Sequence, residues 1–180
     1  VFQFETQKEK VGQEYLNIYD NYHEFTTREK PFFQLIYHNT QGNPEGKVTV
    51  YSYKSSTEYI KALENREEIP YWAYYCRLNY REDTAGLTKV ADFSVPLKGY
   101  ENISFLEFPE PLPAWYYLAE ISLKDAIQQV WFQVTDLGVY AAVANNKTLF
   151  WVNDLSTGLP VKEAEIKISG GENTKTDQSG

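Results

Sequence analysis

The chain has 180 residues, 42% hydrophobic and 23% charged, enough to bury the core of one full domain and part of another. Its formal net charge of −8, from 17 basic and 25 acidic residues, argues against nucleic acid and anionic membrane surfaces as partners, because no basic stripe exists to replace phosphate counterions. No run approaches the roughly 18 apolar residues that direct membrane insertion requires, and the single cysteine, Cys76, permits neither an intramolecular disulfide nor a paired-cysteine zinc site.

Residues 1–19 are polar and mixed in charge, with Lys8, Glu9, Lys10 and Glu14, and read as a lead-in segment. Methionine is absent, even at position 1, so the chain is expected to be a processed or excised piece; no signal peptide is visible, and if the parent is exported its signal lies upstream of Val1. Fifteen Tyr, 10 Phe and 4 Trp favour half-buried pleated surfaces. From Lys30 the pattern turns to strand: Phe33, Leu35 and Tyr37 alternate with Gln34 and His38. Residues 39–46, Asn-Thr-Gln-Gly-Asn-Pro-Glu-Gly, form a turn-rich loop. A second strand follows over 47–53, with Val48 and Val50 on one face. Ser55-Ser56-Thr57-Glu58 then supplies N-cap chemistry, and Tyr59 and Leu63 lie four apart, predicting a short helix over about residues 57–66.

Tyr71 to Tyr80 is aromatic and predicts a strand that carries Cys76. Residues 81–86 are loop, 87–97 strand, Gly99 a turn and 103–108 another strand. Pro109, Pro111 and Pro113 then block regular structure. Residues 115–123 resume as strand, Asp125 marks a turn, and Val130, Phe132 and Val134 alternate with Gln129, Trp131 and Gln133. About seven short strands and one helix between residues 20 and 136 indicate an antiparallel β-sandwich, immunoglobulin-like in class, with Val130, Phe132, Val134 and Leu35 pointing inward. Residues 137–180 start again: a strand over 148–153, a turn over 155–160, alternation at Ala164, Ile166 and Ile168, then a loop-like tail from Gly170. These supply the start of a second, incomplete domain.

The seam between the two parts carries a resemblance. Thr135-Asp136-Leu137-Gly138-Val139-Tyr140, followed by Leu149-Phe150-Trp151-Val152-Asn153-Asp154-Leu155-Ser156-Thr157-Gly158-Leu159-Pro160-Val161, resembles the macroglobulin domains of the bacterial alpha-2-macroglobulin family. So do Val50-Tyr51-Ser52-Tyr53 before the helix, Val90 to Leu97, and Leu112-Pro113-Ala114-Trp115-Tyr116-Tyr117-Leu118, where Ala114 stands in place of the family's usual glycine. The resemblance covers about residues 20–180. It implies macroglobulin-like β-sandwich domains in a large extracytoplasmic protease inhibitor, in the periplasm or on the cell surface, with a lipoprotein anchor upstream as one means of attachment. Its partners would be neighbouring macroglobulin domains of the same polypeptide and, through the whole parent, target proteases. Many members carry a thioester formed in a Cys-x-x-Gln motif. Here Cys76 is followed by Arg77, Leu78 and Asn79, so the acyl donor is missing at that spacing.

No residue is assigned a catalytic, cofactor-binding or metal-binding role, and no cofactor is expected. Cys76 reads as a small buried hydrophobe rather than a reactive thiol. His23 and His38 have no ligand partner at metal spacing and sit in no triad motif. Glu67/Glu68 and Glu82/Asp83 read as solvated acids in polar loops. Thr176-Asp177-Gln178-Ser179-Gly180 reads as a turn, since it lacks the repeated acids of a calcium loop. Asn102-Ile103-Ser104 and Asn146-Lys147-Thr148 are glycosylation sequons by pattern. Trp72, Trp115, Trp131 and Trp151 are expected in the core, with an exposed sugar-stacking platform as the competing reading. The expected function is therefore a non-catalytic scaffold domain. The alternatives are an immunoglobulin-like cell-surface binding module for carbohydrate or a host protein, and a short carboxypeptidase-regulatory-like module suggested by residues 157–161 and 176–180.

Overall fold

A computed structural model describes residues 15–38, 45–100, 103–168, 171 and 173–180. The lead-in up to residue 14, the loop over 39–44, Asn102 and the first residues of the tail, 169–170, lie outside them. Nine strands and two helices make up residues 15–134: β1 (Tyr15–Ile18), β2 (Tyr22–Phe25), β3 (Phe32–His38), β4 (Glu45–Ser52), α1 (Ser56–Glu67), α2 (Tyr74–Leu78), β5 (Thr88–Pro96), β6 (Lys98–Tyr100), β7 (Ile103–Glu107), β8 (Trp115–Leu123) and β9 (Ala126–Val134). Strand β1 pairs with β3, Tyr15 opposite His38, so the sandwich begins upstream of the boundary expected at residue 20.

Two sheets share the strands. One has the order β1-β3-β7-β6 and the other β2-β9-β8-β4-β5. Every pairing is antiparallel except β2 with β9, which runs parallel at the sheet edge with Tyr22 opposite Trp131. The first strand thus switches sheets after Ile18, leaving one antiparallel sheet and one nearly so. This is the strand layout of an immunoglobulin-like sandwich. Tyr117 near the start of β8 adds that architecture's corner contact, its hydroxyl donating to the Pro113 carbonyl at 2.9 Å.

The inward faces follow from period-two alternation. Val48 and Val50 of β4, Ala119 and Ile121 of β8, and Val130 and Phe132 of β9 are fully buried against Phe33 and Leu35 of β3 and Leu106 of β7. The expected register is therefore the observed one.

The other face of the larger sheet is also covered, which alternation alone does not reveal. Tyr59 and Ala62 of α1 pack on Tyr53, Leu118 and Trp131. Strands β8 and β9 are consequently apolar on both faces at their centres. Helix α1 starts as its sequence predicts: the Ser55 hydroxyl accepts from the Glu58 amide at 3.3 Å, and the Glu58 carboxylate accepts from the Lys54 amide at 3.2 Å.

Two further elements of the sandwich differ from expectation. Residues 71–80 are not a strand. Ala73, Arg77, Leu78 and Tyr80 are the partly buried positions, the spacing of a helix face rather than of a pleat, and α2 forms there. Gly99 is not a turn but the middle of β6, opposite Ser104.

After residue 136 come β10 (Leu137–Ala144) and β11 (Lys147–Asp154), an antiparallel hairpin. Strands β12 (Glu165–Ile166) and β13 (Thr174–Lys175) form a two-residue ladder, so the tail holds a short strand where loop was expected.

Phe132 is fully buried, so Phe132→Ala is expected to destabilise the sandwich by about 3–5 kcal/mol. An unmoved denaturation midpoint in urea would show that this packing is wrong. Tyr59 is 2% exposed and its hydroxyl has no hydrogen-bond partner among the described residues. Tyr59→Phe is therefore expected to leave stability unchanged or raise it by up to about 1 kcal/mol, since a desolvated, unpaired hydroxyl opposes folding. A clear drop in the same measurement would mean that the hydroxyl is paired.

Candidate functional site

Two places stand apart from ordinary core and surface: the seam at Asp136 and the excursion between β4 and β5.

At the seam, two residues separate β9 from β10. Thr135 is fixed to the sandwich, its amide donating to the Phe25 carbonyl at 2.8 Å, and the Leu137 amide donates to the Thr135 hydroxyl at 3.1 Å. The Asp136 carboxylate reaches across to Thr27, accepting from its amide at 2.9 Å and from its hydroxyl at 2.6 Å. The Asp136 carbonyl accepts from the Leu155 amide at 2.6 Å. Leu155 belongs to the turn after β11, and its side chain lies over Gly138. A Cβ at Gly138 would sit 2.7 Å from a Leu155 methyl.

The turn itself is built on Asp154. Its Oδ1 accepts from the Ser156 amide at 2.7 Å, the Ser156 hydroxyl at 2.6 Å and the Thr157 amide at 3.0 Å. The Gly158 amide donates to the Asp154 carbonyl at 2.7 Å, and Gly158 has φ +72°, a left-handed conformation that favours glycine. The Thr27 hydroxyl and amide hold the Asp136 carboxyl below the usual aspartate range, and the Ser156 hydroxyl, with the Thr157 amide, does the same for Asp154.

The excursion covers residues 53–87. It leaves the sheet at Ser52 and returns at Thr88, which lie opposite each other in the β4–β5 pairing. Its first half, α1, packs on the sheet. Its second half carries α2 and buries no side chain of that helix. Tyr71 is 91% exposed, Trp72 83%, Tyr74 57% and Tyr75 76%. The only ring contact joining them is Tyr74 edge-on to Tyr75 at 5.7 Å.

The backbone beneath them is firmly tied. The Arg77 guanidinium donates to both Glu67 oxygens at 2.7 and 2.9 Å and to the Ile69 carbonyl at 2.8 Å. Arg81 donates to the Leu78 carbonyl at 3.0 Å and to the Ile127 carbonyl of β9. The Glu82 amide donates to Gln129 Oε1 at 2.7 Å. Arg66 donates to Asn21 at 2.8 Å and lies over the Trp131 ring. The Arg77 hydrogen bond holds the Glu67 carboxyl below its ordinary range, and burial, then the Glu82 contact, pushes the Tyr80 phenol up to about 12.

The residues singled out from sequence fall as follows. Cys76 is exposed on α2, not buried in a strand. Of the four tryptophans only Trp131 is in the core. Trp115 and Trp151 are partly exposed, each donating its indole N–H to a carbonyl, of Tyr53 and Ser179 respectively, and Trp72 faces solvent. Glu67 is the last residue of α1 and is bound by Arg77, rather than a free acid in a loop. Glu82 accepts from the Tyr80 hydroxyl at 2.8 Å, while Asp83 accepts from the Ala85 amide at 2.9 Å.

His23 bonds the Asp20 carbonyl at 2.8 Å, stacks near Phe25 and meets Phe33 edge-on, whereas His38 ends β3. No group of three His, Cys, Asp or Glu among the described residues is placed to hold a metal. Thr176 is buried, accepting from the Ala164 amide at 2.9 Å and donating to the Val161 carbonyl at 2.6 Å. Exposure of Trp72 matches the competing platform reading of the tryptophans, while the grouping of Tyr71, Tyr74 and Tyr75 beside it is not evident from the strand expected there. The signal for that grouping was the run Tyr71-Trp72-Ala73-Tyr74-Tyr75, which contains no aliphatic residue larger than alanine.

No family model matches the chain, and no curated protein matches it. A solved structure described as "Chaperone-tip adhesin complex is vital for synergistic activation of CFA/I fimbriae biogenesis" contains a chain similar to it at 7% identity, covering 91% of this chain and 80% of that one, with a TM-score of 0.33. At that level of likeness nothing is transferred from it. No helix among the described residues is long and apolar enough to cross a membrane.

Exposure of Cys76 predicts that a maleimide labels it to completion in the folded chain without denaturant. Labelling that requires urea would restore the buried-thiol reading.

Proposed function

We propose that this chain is a non-catalytic scaffold segment of a bacterial alpha-2-macroglobulin-like protease inhibitor, working outside the cytoplasm in the cell envelope. The observation that supports this reading most is the interlocked seam. Asp136 ties the end of the sandwich to Thr27 on one side and to Leu155 on the other. The two sequence features that carry the family resemblance, Thr135-Asp136-Leu137-Gly138 and Asp154 to Pro160, thereby form one joint. A two-residue connection bonded in this way fixes the angle at which the next β-unit leaves the sandwich. A scaffold of many domains requires that property if cleavage in one place is to move another. Neighbouring macroglobulin domains are the proposed direct partners, and proteases are engaged only through the whole parent.

The test uses both the parent protein and the isolated chain. The parent is expected to block protease action on a large protein substrate while sparing a small peptide substrate. The isolated chain is expected to inhibit no protease. Hydrolysis or stoichiometric inhibition by the isolated chain would overturn the scaffold reading, and so would a parent that traps nothing.

The joint should also be acid-labile. The folded Asp136 carboxyl titrates below the unfolded one, so its contribution is fully present above the ordinary aspartate value of about 3.9 and is lost as pH falls through the lower folded value. The Thr27 amide resonance is expected to hold its position down to about pH 4 and to move at lower pH, and Asp136→Asn should remove that titration. A Thr27 amide that ignores acid in the unmodified chain would mean that the clamp is absent in solution.

A further inference from the structure

We infer that the aromatic cap of the excursion, Tyr71, Trp72, Tyr74 and Tyr75, is a stacking site for a neutral hexopyranose glycan. Three observations carry it. First, the excursion is longer than its topology needs. Ser52 and Thr88 face each other across β4 and β5, where a few residues would close the hairpin. Helix α1 covers the sheet, whereas α2 has no fully buried side chain and turns its aromatic residues to solvent. Large aromatics displayed in a group, rather than scattered singly, mark a contact surface.

Second, the backbone beneath the display is anchored. Arg77 ties α2 to Glu67 and Ile69, and Arg81 with Glu82 anchors the descending limb to β9. The segment that carries the rings is therefore fixed before any ligand arrives, which lowers the ordering cost of binding.

Third, the chemistry of the cap selects the partner. Between residues 67 and 80 the sequence has one cation, Arg77, and it is committed to Glu67 and Ile69. With a chain charge of −8, nothing here attracts phosphate, sulfate or a carboxylate. What the cap offers is π-faces with negative charge density and phenol groups at their rims. The C–H faces of a pyranose ring carry the complementary partial positive charge, and sugar hydroxyls match the phenols. This site is independent of the scaffold reading, since the cap lies on the excursion and not at the seam.

The test follows the four tryptophan indole N–H resonances of the 180-residue chain during titration with cellohexaose, chitohexaose and an α-mannan. The expected result is a saturable shift of the Trp72 resonance by at least one of these, with the buried Trp131 unmoved. Trp72→Ala should then weaken association about tenfold or more, and Tyr75→Ala similarly. Both side chains are solvent-exposed, so neither variant should alter the circular dichroism. A Trp72 resonance that stays still with all three probes would overturn the inference, as would binding unchanged in Trp72→Ala. A Trp72 response to phosphatidylcholine vesicles but to no glycan would also overturn it, assigning the cap to a membrane surface instead.

Discussion

Phe132 is the residue on which the two sheets close. Its ring meets Phe25 at 6.0 Å, Phe33 at 5.6 Å, Phe108 at 5.8 Å and Tyr117 at 5.2 Å. Those four partners come from β2, β3, the end of β7 and β8, so one side chain touches both sheets and the parallel edge strand. Immunoglobulin-like sandwiches in antibodies fasten their sheets at the centre with a disulfide. With one cysteine in the chain, aromatic packing does that work here, edge-to-face with the three phenylalanines and stacked with Tyr117, and it is non-covalent, close-packed and sensitive to shape. Gln128 adds a polar tie, its buried amide donating to the Leu16 carbonyl of β1 at 3.0 Å.

The same strand explains why a helix lies on the sheet. Strand β9 presents Val130 and Phe132 inward and Gln129 and Trp131 outward, and all four are buried. An uncovered Trp131 would leave a large apolar ring in water beside Leu118. Helix α1 supplies the cover, Tyr53 accepts from the Trp131 indole at 3.0 Å, and Gln129 donates to Glu82 and Glu120. The excursion thus has a structural reason for its first half. Its second half hangs from the same polar contacts through Glu82 and Arg81, so packing at β9 and the posture of the aromatic cap are mechanically linked.

This division also marks what the sequence made legible. Strands whose two faces differ in environment, such as β3 and β4, show their alternation and were read with their facing. Helix α1 announced itself through Ser55 and Glu58. The run from Tyr71 to Tyr80 misled because tyrosine and tryptophan favour pleated surfaces on average. That preference reflects packing against neighbours, and no neighbouring strand is present there. Its helix is tied to α1 by Arg77 reaching back to Glu67, a contact ten residues apart that no short pattern encodes. Trp72 and Cys76 were misplaced for the same reason, having been assigned to a core strand that does not exist. Gly99 was read as a turn from its residue type, while its pairing with Ser104 is set by the partner strand. At the seam, the composition of the Asp154 turn was plain, but its docking onto Asp136 was not.

That docking bears on the hairpin beyond it. Strands β10 and β11 are apolar on both faces, with Val139 and Val143 exposed on one, Tyr140 and Leu149 on the other. A two-stranded hairpin with so little buried is marginal by itself. Its order must come from its root, and the root is where the bonds concentrate: Leu155 over Gly138, Asp136 to Leu155, and Val152 between Gly180 and Val161, with amide and carbonyl both bonded at 2.7 and 2.9 Å. The C-terminal turn takes part as well, because the Trp151 indole donates to the Ser179 carbonyl. The sandwich is therefore held by apolar packing distributed around Phe132, whereas the unit after it is held by a few directional bonds at its root. A perturbation at Asp136 should loosen the joint between them without touching the core, and one at Phe132 should weaken both, since Thr27 and Thr135 hang from the sandwich edge that Phe132 supports.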